Sequence, residues 1–123
     1  MAKSSKKSKK SKKTEASPVA LDPAAFESVR EAFISSWSEL MVAWGFPKAM
    51  GTVHAHLLTR AEPQSMAALR DAAGVSQGTA HTMLKRLVGL GLVHEEHRHG
   101  VRLIRFMAER DVWQVAVSVM RER

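Results

Sequence analysis

A mainly helical fold with one small β-hairpin is predicted, on three observations. Apolar residues recur every 3.6 positions from Phe26 to Trp44, two shorter helical stretches meet at a glycine-containing turn, and after Gly91 the apolar pattern shortens to that of strands. The sequence has 123 residues and no cysteine. One core is therefore expected, without disulfides, a thiolate nucleophile or cysteine-bound zinc. With 45% hydrophobic residues but no run near the ~18 apolar residues of a membrane span, a soluble protein is expected.

The first helix starts at Asp22-Pro23, where the carboxylate can accept free backbone amides and the proline needs no donor. Phe26, Val29, Phe33, Trp37, Leu40 and Trp44 form its stripe. Ile34 and Met41 widen that stripe beyond what one neighbouring helix covers, which points to a partner chain at Phe33, Ile34, Trp37, Leu40, Met41 and Trp44; the alternative is that all of it packs internally. Gly45 ends this helix. Phe46-Pro47 opens a second one with Met50, Val53, Leu57 and Leu58 on one face, and Ala61-Glu62-Pro63 breaks the pattern.

Ser65 caps a third helix through Ala73, Gly74 interrupts it, and Ser76 caps a fourth to about Leu90. Two helices joined by a short glycine turn are a helix-turn-helix, over residues 65–90. Leu69, Ala73, Val75, Ala80, Met83, Leu84 and Leu87 supply its apolar contacts. With Ala80 at the centre of the buried face and about 100° per residue, Gly78, Thr82 and Lys85 lie opposite, flanked by Thr79, His81 and Arg86. That face is small, polar and basic, which suits a DNA major groove.

The segments LVHEEH and VRLIRFM flank Arg98-His99-Gly100 and read as a hairpin with a basic tip, residues 92–107. A helix-turn-helix followed by such a hairpin is a winged helix. In the last stretch Asp111 can cap a helix, whereas Val115, Val117 and Val119 alternate as in a strand; helix is the reading adopted.

Charge is polarised along the chain. Residues 1–20 carry seven lysines and one acid, so they hold +6 of the net +7. This opening segment is almost free of apolar residues, so residues 1–21 are expected to be disordered, with Lys6, Lys7, Lys9, Lys10, Lys12 and Lys13 either solvated or condensed on DNA phosphates. No apolar stretch follows the lysines as a secretion signal requires. Residues 22–123 are expected to form the winged-helix domain.

The stretches WGFPKAMGTVHAHLL and GVSQGTAHTMLKRLVGLGLV, with the Gly100-Val101-Arg102 turn, resemble the MarR superfamily of winged-helix regulators, and within it the GbsR-like branch. The resemblance spans about residues 26–120. It implies a homodimeric, double-stranded-DNA-binding transcriptional regulator, a repressor, located in the cytoplasm with the nucleoid. The first and last helices would make the dimer, adding Trp113, Val117 and Met120 to the seam. Ser76 would cap the recognition helix, residues Gln77 to Arg86 would line the major groove, and Arg102 would be the wing arginine beside Arg98 and His99. Two departures stand out: Val101 occupies a place where the wing commonly has an acid, and relatives continue through further C-terminal helices, so a smaller or differently built dimer is expected here.

Other constellations weigh less. His94 and His97 have opposite strand parity, and no cysteine or well-placed carboxylate completes a tetrahedron, so no metal site is expected. His54 and His56 lie about 200° apart on a helix and are expected to be solvated or capped. Phe33, Trp37 and Trp44 could box a cationic effector, but at this spacing they read as core or dimer seam. Nothing shows a nucleotide loop, nucleophile elbow or paired-carboxylate framework, so neither catalysis nor a cofactor is expected. A small-molecule effector is left open. The alternative class is a nucleoid architectural protein that reads few bases; Thr79, Thr82 and Arg86 favour the regulator.

Overall fold

The computed structural model describes residues 22–98, 100, 102–111, 114, 115, 117, 120 and 121. By its contacts the chain divides after Arg30. The division falls inside the first helix, α1 (Pro23–Ala43).

In the first unit, Asp22 caps α1 as its sequence suggests: the Ala25 amide donates to Asp22 Oδ1 at 2.7 Å. Arg30 donates to Glu27 at 3.1 Å, and its guanidinium lies 5.4 Å from the centre of the Phe26 ring. One turn of helix brings these positions together.

The second unit contains the rest of α1, then α2 (Lys48–Leu58), β1 (Gln64–Ser65), α3 (Met66–Ala73), α4 (Gln77–Gly89), β2 (Val93–His97) and β3 (Ile104–Ala108). Its core is built around α2, whose Met50, Val53 and Leu57 meet Met41, Leu69, Leu84, Leu87, Leu92, Val93 and Phe106. Burying these side chains supplies most of the drive for folding. At one point α1 and α2 come close enough to require glycine. A Cβ on Gly51 would lie 3.0 Å from both Ser38 Cα and Met41 Cβ. Beside it, the Ser38 hydroxyl donates to the Ile34 carbonyl at 2.8 Å and pairs with the Thr52 hydroxyl at 2.9 Å.

Two placements differ from the sequence expectations. Met41, expected at a seam between chains, is fully buried within its own chain. The close approach at Gly51 turns it inward. His54, expected to be solvated or capped, has no exposed surface. Its Nδ1 accepts the Trp37 indole N–H at 3.0 Å, and burial lowers its pKa to about 4. It is therefore neutral, with the proton on Nε2. Phe33 and Trp37 stack on each other, ring centres 5.9 Å apart, so they do not stand open as two walls of a cation box.

The sheet has the order β1-β3-β2, antiparallel throughout. β1 has no sequence signal, because two residues cannot show a period. Gln64 and Ser65 pair with Phe106 and Arg105, so Ser65 both ends a strand and caps α3 by accepting the Ala68 amide at 3.1 Å. In the hairpin, Val93, Glu95 and His97 stand opposite Ala108, Phe106 and Ile104. These six side chains share one sheet face. Past the wing, Asp111 caps a helical segment as expected: its Oδ1 accepts the Gln114 amide at 3.3 Å and its carbonyl the Val115 amide at 3.0 Å. Gln114, Val115, Val117, Met120 and Arg121 are helical.

Candidate nucleic-acid interface

The geometry of the helix-turn-helix begins at Gly74, which adopts φ +68° and lets the chain leave α3 through a left-handed residue. Val75 and Ser76 complete the turn. Ser76 caps α4, accepting the Thr79 amide at 3.1 Å and donating to the Thr79 hydroxyl at 3.0 Å. Arg70 ties the two helices together: its guanidinium donates to Gln77 Oε1 at 2.6 Å and to Asp71 at 2.9 Å. This arginine has no sequence signal, because its partner is seven positions away across a turn.

Ala80, Met83, Leu84 and Leu87 lie buried against the core. Gly78, His81, Thr82, Lys85 and Arg86 are consequently exposed on the other side of α4, with Thr79 partly covered. The placement matches the helical projection. Gln77 is exposed as well, but its carbonyl oxygen is held by Arg70.

The wing stands beside this face. Arg98 and Arg102 are exposed at its ends, and Gly100 takes φ +81° between them. His99 and Val101 lie outside the described residues, as do Trp113 and the lysines of residues 1–21. Lys85, Arg86, Arg98 and Arg102 have no carboxylate partner among the described residues. Their positive charge is therefore uncompensated locally and available to an anion.

The wing's histidines are engaged differently. His94 pairs with Glu109 at 2.5 Å and His97 with Glu95 at 3.1 Å, on opposite sheet faces. The hydrogen bond from His94, helped by the Asp111 amide, holds the Glu109 carboxyl below the usual carboxylate range. Among the described residues, no group of three potential ligands is arranged for a metal ion.

Between α4 and the wing lies a cleft of about 470 Å3. Leu84, Met66, Ile104 and Phe106 contribute apolar walls, and Lys85, Arg102 and His81 also line it. Leu103 lines it too and is 52% exposed. Of its lining residues, Lys85, His81, Gln77 and Arg102 are site candidates by sequence; the cavity itself depends on how the wing folds back on α4.

On α1, Phe33 and Leu40 remain 37% and 39% exposed, Trp37 and Trp44 are partly covered by the core, and Ile34 is intermediate. Met120 is 71% exposed. Val117 is partly covered. No described helix is long and apolar enough to cross a membrane.

Comparison with known proteins supports the same architecture. No family model matches the chain. It is 28% identical over 91 residues to the HTH-type transcriptional repressor GbsR of Bacillus subtilis (strain 168), an alignment covering 74% of this chain and 50% of that protein. The chain thus spans about half the length of the curated relative it matches. Among solved structures, one described as a transcriptional regulator superposes with a TM-score of 0.65 at 21% identity, over 76% of this chain and 63% of that one. A MarR-family transcriptional regulator from Silicibacter pomeroyi gives 0.54 at 21% identity, over 80% and 66%. In fold the chain is a winged helix, and in sequence it is similar to the GbsR repressor.

Proposed function

We propose that the chain is a sequence-specific, double-stranded-DNA-binding transcriptional regulator that represses as a homodimer. The observation that carries this reading is the outward face of α4, where Gly78 and Thr82 leave room for close approach beside Lys85 and Arg86, which have no carboxylate partner among the described residues. A glycine and small hydroxyl residues let a helix sit deep in the major groove, and arginine can grip guanine O6 and N7. Arg102 and Arg98 on the wing reach the adjacent minor groove and phosphates. Ser76, Gln77, Thr79 and His81 border the same face. GbsR, by name a transcriptional repressor, supports the direction of regulation.

The dimer seam runs along the exposed part of α1, through Phe33 and Leu40 with Ile34, Trp37 and Trp44 at its edge, and takes in Met120. The lysines of residues 1–21 add a sequence-independent attraction for phosphates.

The test begins by selecting preferred duplexes from a random pool. Arg86→Ala and Thr82→Ala are then titrated against the selected and a scrambled duplex. Arg86→Ala should erode discrimination by roughly 1–3 kcal/mol. Equal loss on both duplexes from both substitutions would replace the regulator by an architectural DNA-binding protein.

A further inference from the structure

We propose that Arg70 is a positioning residue for base recognition: by holding the Gln77 amide oxygen it leaves donors on the first turn of α4 and makes that turn select guanine over adenine. The proposal deepens the DNA-reading function given above and rests on it.

Arg70 stands on α3, across the turn at Gly74 from Gln77. Its Nη1 donates to Gln77 Oε1 at 2.6 Å, and its Nε donates to Asp71 Oδ1 at 2.9 Å. Two bonds from one planar group fix its orientation, and both are charge-assisted. A guanidinium has donors only, so the atom of Gln77 that meets it is the oxygen and not the nitrogen. The amide N–H2 group of Gln77 makes no hydrogen bond among the described residues. It stands on an exposed side chain with two donors to offer.

Thr79, two positions on, is arranged in the same way. Its hydroxyl oxygen accepts from Ser76 at 3.0 Å, which leaves its own proton to donate. In both residues an acceptor is engaged inside the chain and a donor is left over. Gly78 between them adds no side chain to obstruct either.

Base choice follows from that asymmetry. In the major groove guanine presents two acceptors, O6 and N7, whereas adenine presents the N7 acceptor beside the N6 donor. An unrestrained glutamine reads adenine by donating to N7 and accepting from N6. With the oxygen turned to Arg70 the second of those bonds is lost, and the N–H2 group finds two acceptors only on guanine. The N-terminal residues of a recognition helix are the ones that meet base edges, which gives Gln77 the position to use this restriction.

The experiment uses the full chain. Duplexes are selected from a random pool with the wild type, Gln77→Met and Arg70→Met, and the base pair whose preference disappears in Gln77→Met is the one that Gln77 faces. There the wild type should favour guanine over adenine roughly tenfold. Arg70→Met should erase that preference or turn it to adenine while the preferences at other positions remain. A further measurement needs no variant of Arg70: 7-deazaguanine at that position, which lacks the N7 acceptor, should weaken the wild type and leave Gln77→Met unaffected. Without DNA, 15N relaxation should show the Gln77 side-chain amide more mobile in Arg70→Met than in the wild type.

A wild type that prefers no duplex overturns the sequence-specific regulator, and the choice of guanine with it. Preferred duplexes in which Gln77→Met changes no position, 7-deazaguanine costs nothing, or Arg70→Met keeps guanine overturn the inference and leave the regulator standing. Equal amide mobility in the two proteins overturns the tether itself. A loss that Arg70→Met spreads evenly over all duplexes makes Arg70 a phosphate contact and overturns its role in base choice.

Discussion

Single residues carry most of the polar specificity of this fold, and His54 is the clearest case. Its pKa is lowered from 6.5 to about 4 by burial, with the Trp37 indole donating to Nδ1. Because the unfolded chain binds a proton that the folded chain refuses between those values, stability is complete above pH ~6.5 and falls as the pH drops towards 4. The contribution lost across that window is about 3 kcal/mol. Denaturant unfolding at several pH values should show the slope, and His54→Leu should flatten it; an equal slope in the variant would remove His54 as its source. Arg110 is a second case. It donates to the carbonyls of Leu58, at 2.7 Å, and of Leu57 and Arg60, where α2 ends. Arg110→Ala should cost roughly 1–3 kcal/mol, since those carbonyls lose a charged donor. Neither role has a local signal, because the Trp37–His54 and Arg110–Leu58 separations are 17 and 52 residues.

At the scale of elements, boundaries followed local chemistry. Asp22, Ser65, Ser76 and Asp111 each cap a helical segment through a side-chain oxygen, and each is recognisable in sequence from residue type and position. Ser76→Ala should therefore destabilise the domain by about 1 kcal/mol. If α4 also enters DNA, the same substitution should loosen its first turn, where Gln77, Gly78 and Thr79 lie. Hydrogen exchange at the Thr79 amide, which donates to Ser76, is the direct readout: unchanged protection would mean the cap is not holding the helix end. The exposed face of α4 was legible for the same reason, since Ala80 alone orients a regular helix. β1 was not legible. Two residues acquire strand geometry only by pairing with β3, which follows some forty residues later at Arg105 and Phe106.

For the molecule as a whole, the proposed assembly and the lysine-rich segment make separate predictions. Light scattering at tens of micromolar should give a dimer, and Leu40→Glu, at a position 39% exposed, should give a folded monomer. A monomeric wild type would leave the α1 face as ordinary exposed surface. Deleting residues 1–14 should flatten the plot of log affinity against log salt by several units, at roughly 0.9 per neutralised phosphate, if most of those lysines engage DNA. An unchanged slope would confine them to solubility. The sequence by itself determined the order of helices, their caps, the turn at Gly74, the hairpin and the polar face of α4, because each depends on residue type and near neighbours along one element. Only the tertiary structure decided that Met41 turns inward at Gly51, that His54 is buried against Trp37, that Arg110 closes α2, and that a cleft opens between α4 and the wing. Those features depend on which side chains meet across distant parts of the chain, and periodicity along a helix or strand says which face is apolar without saying what covers it.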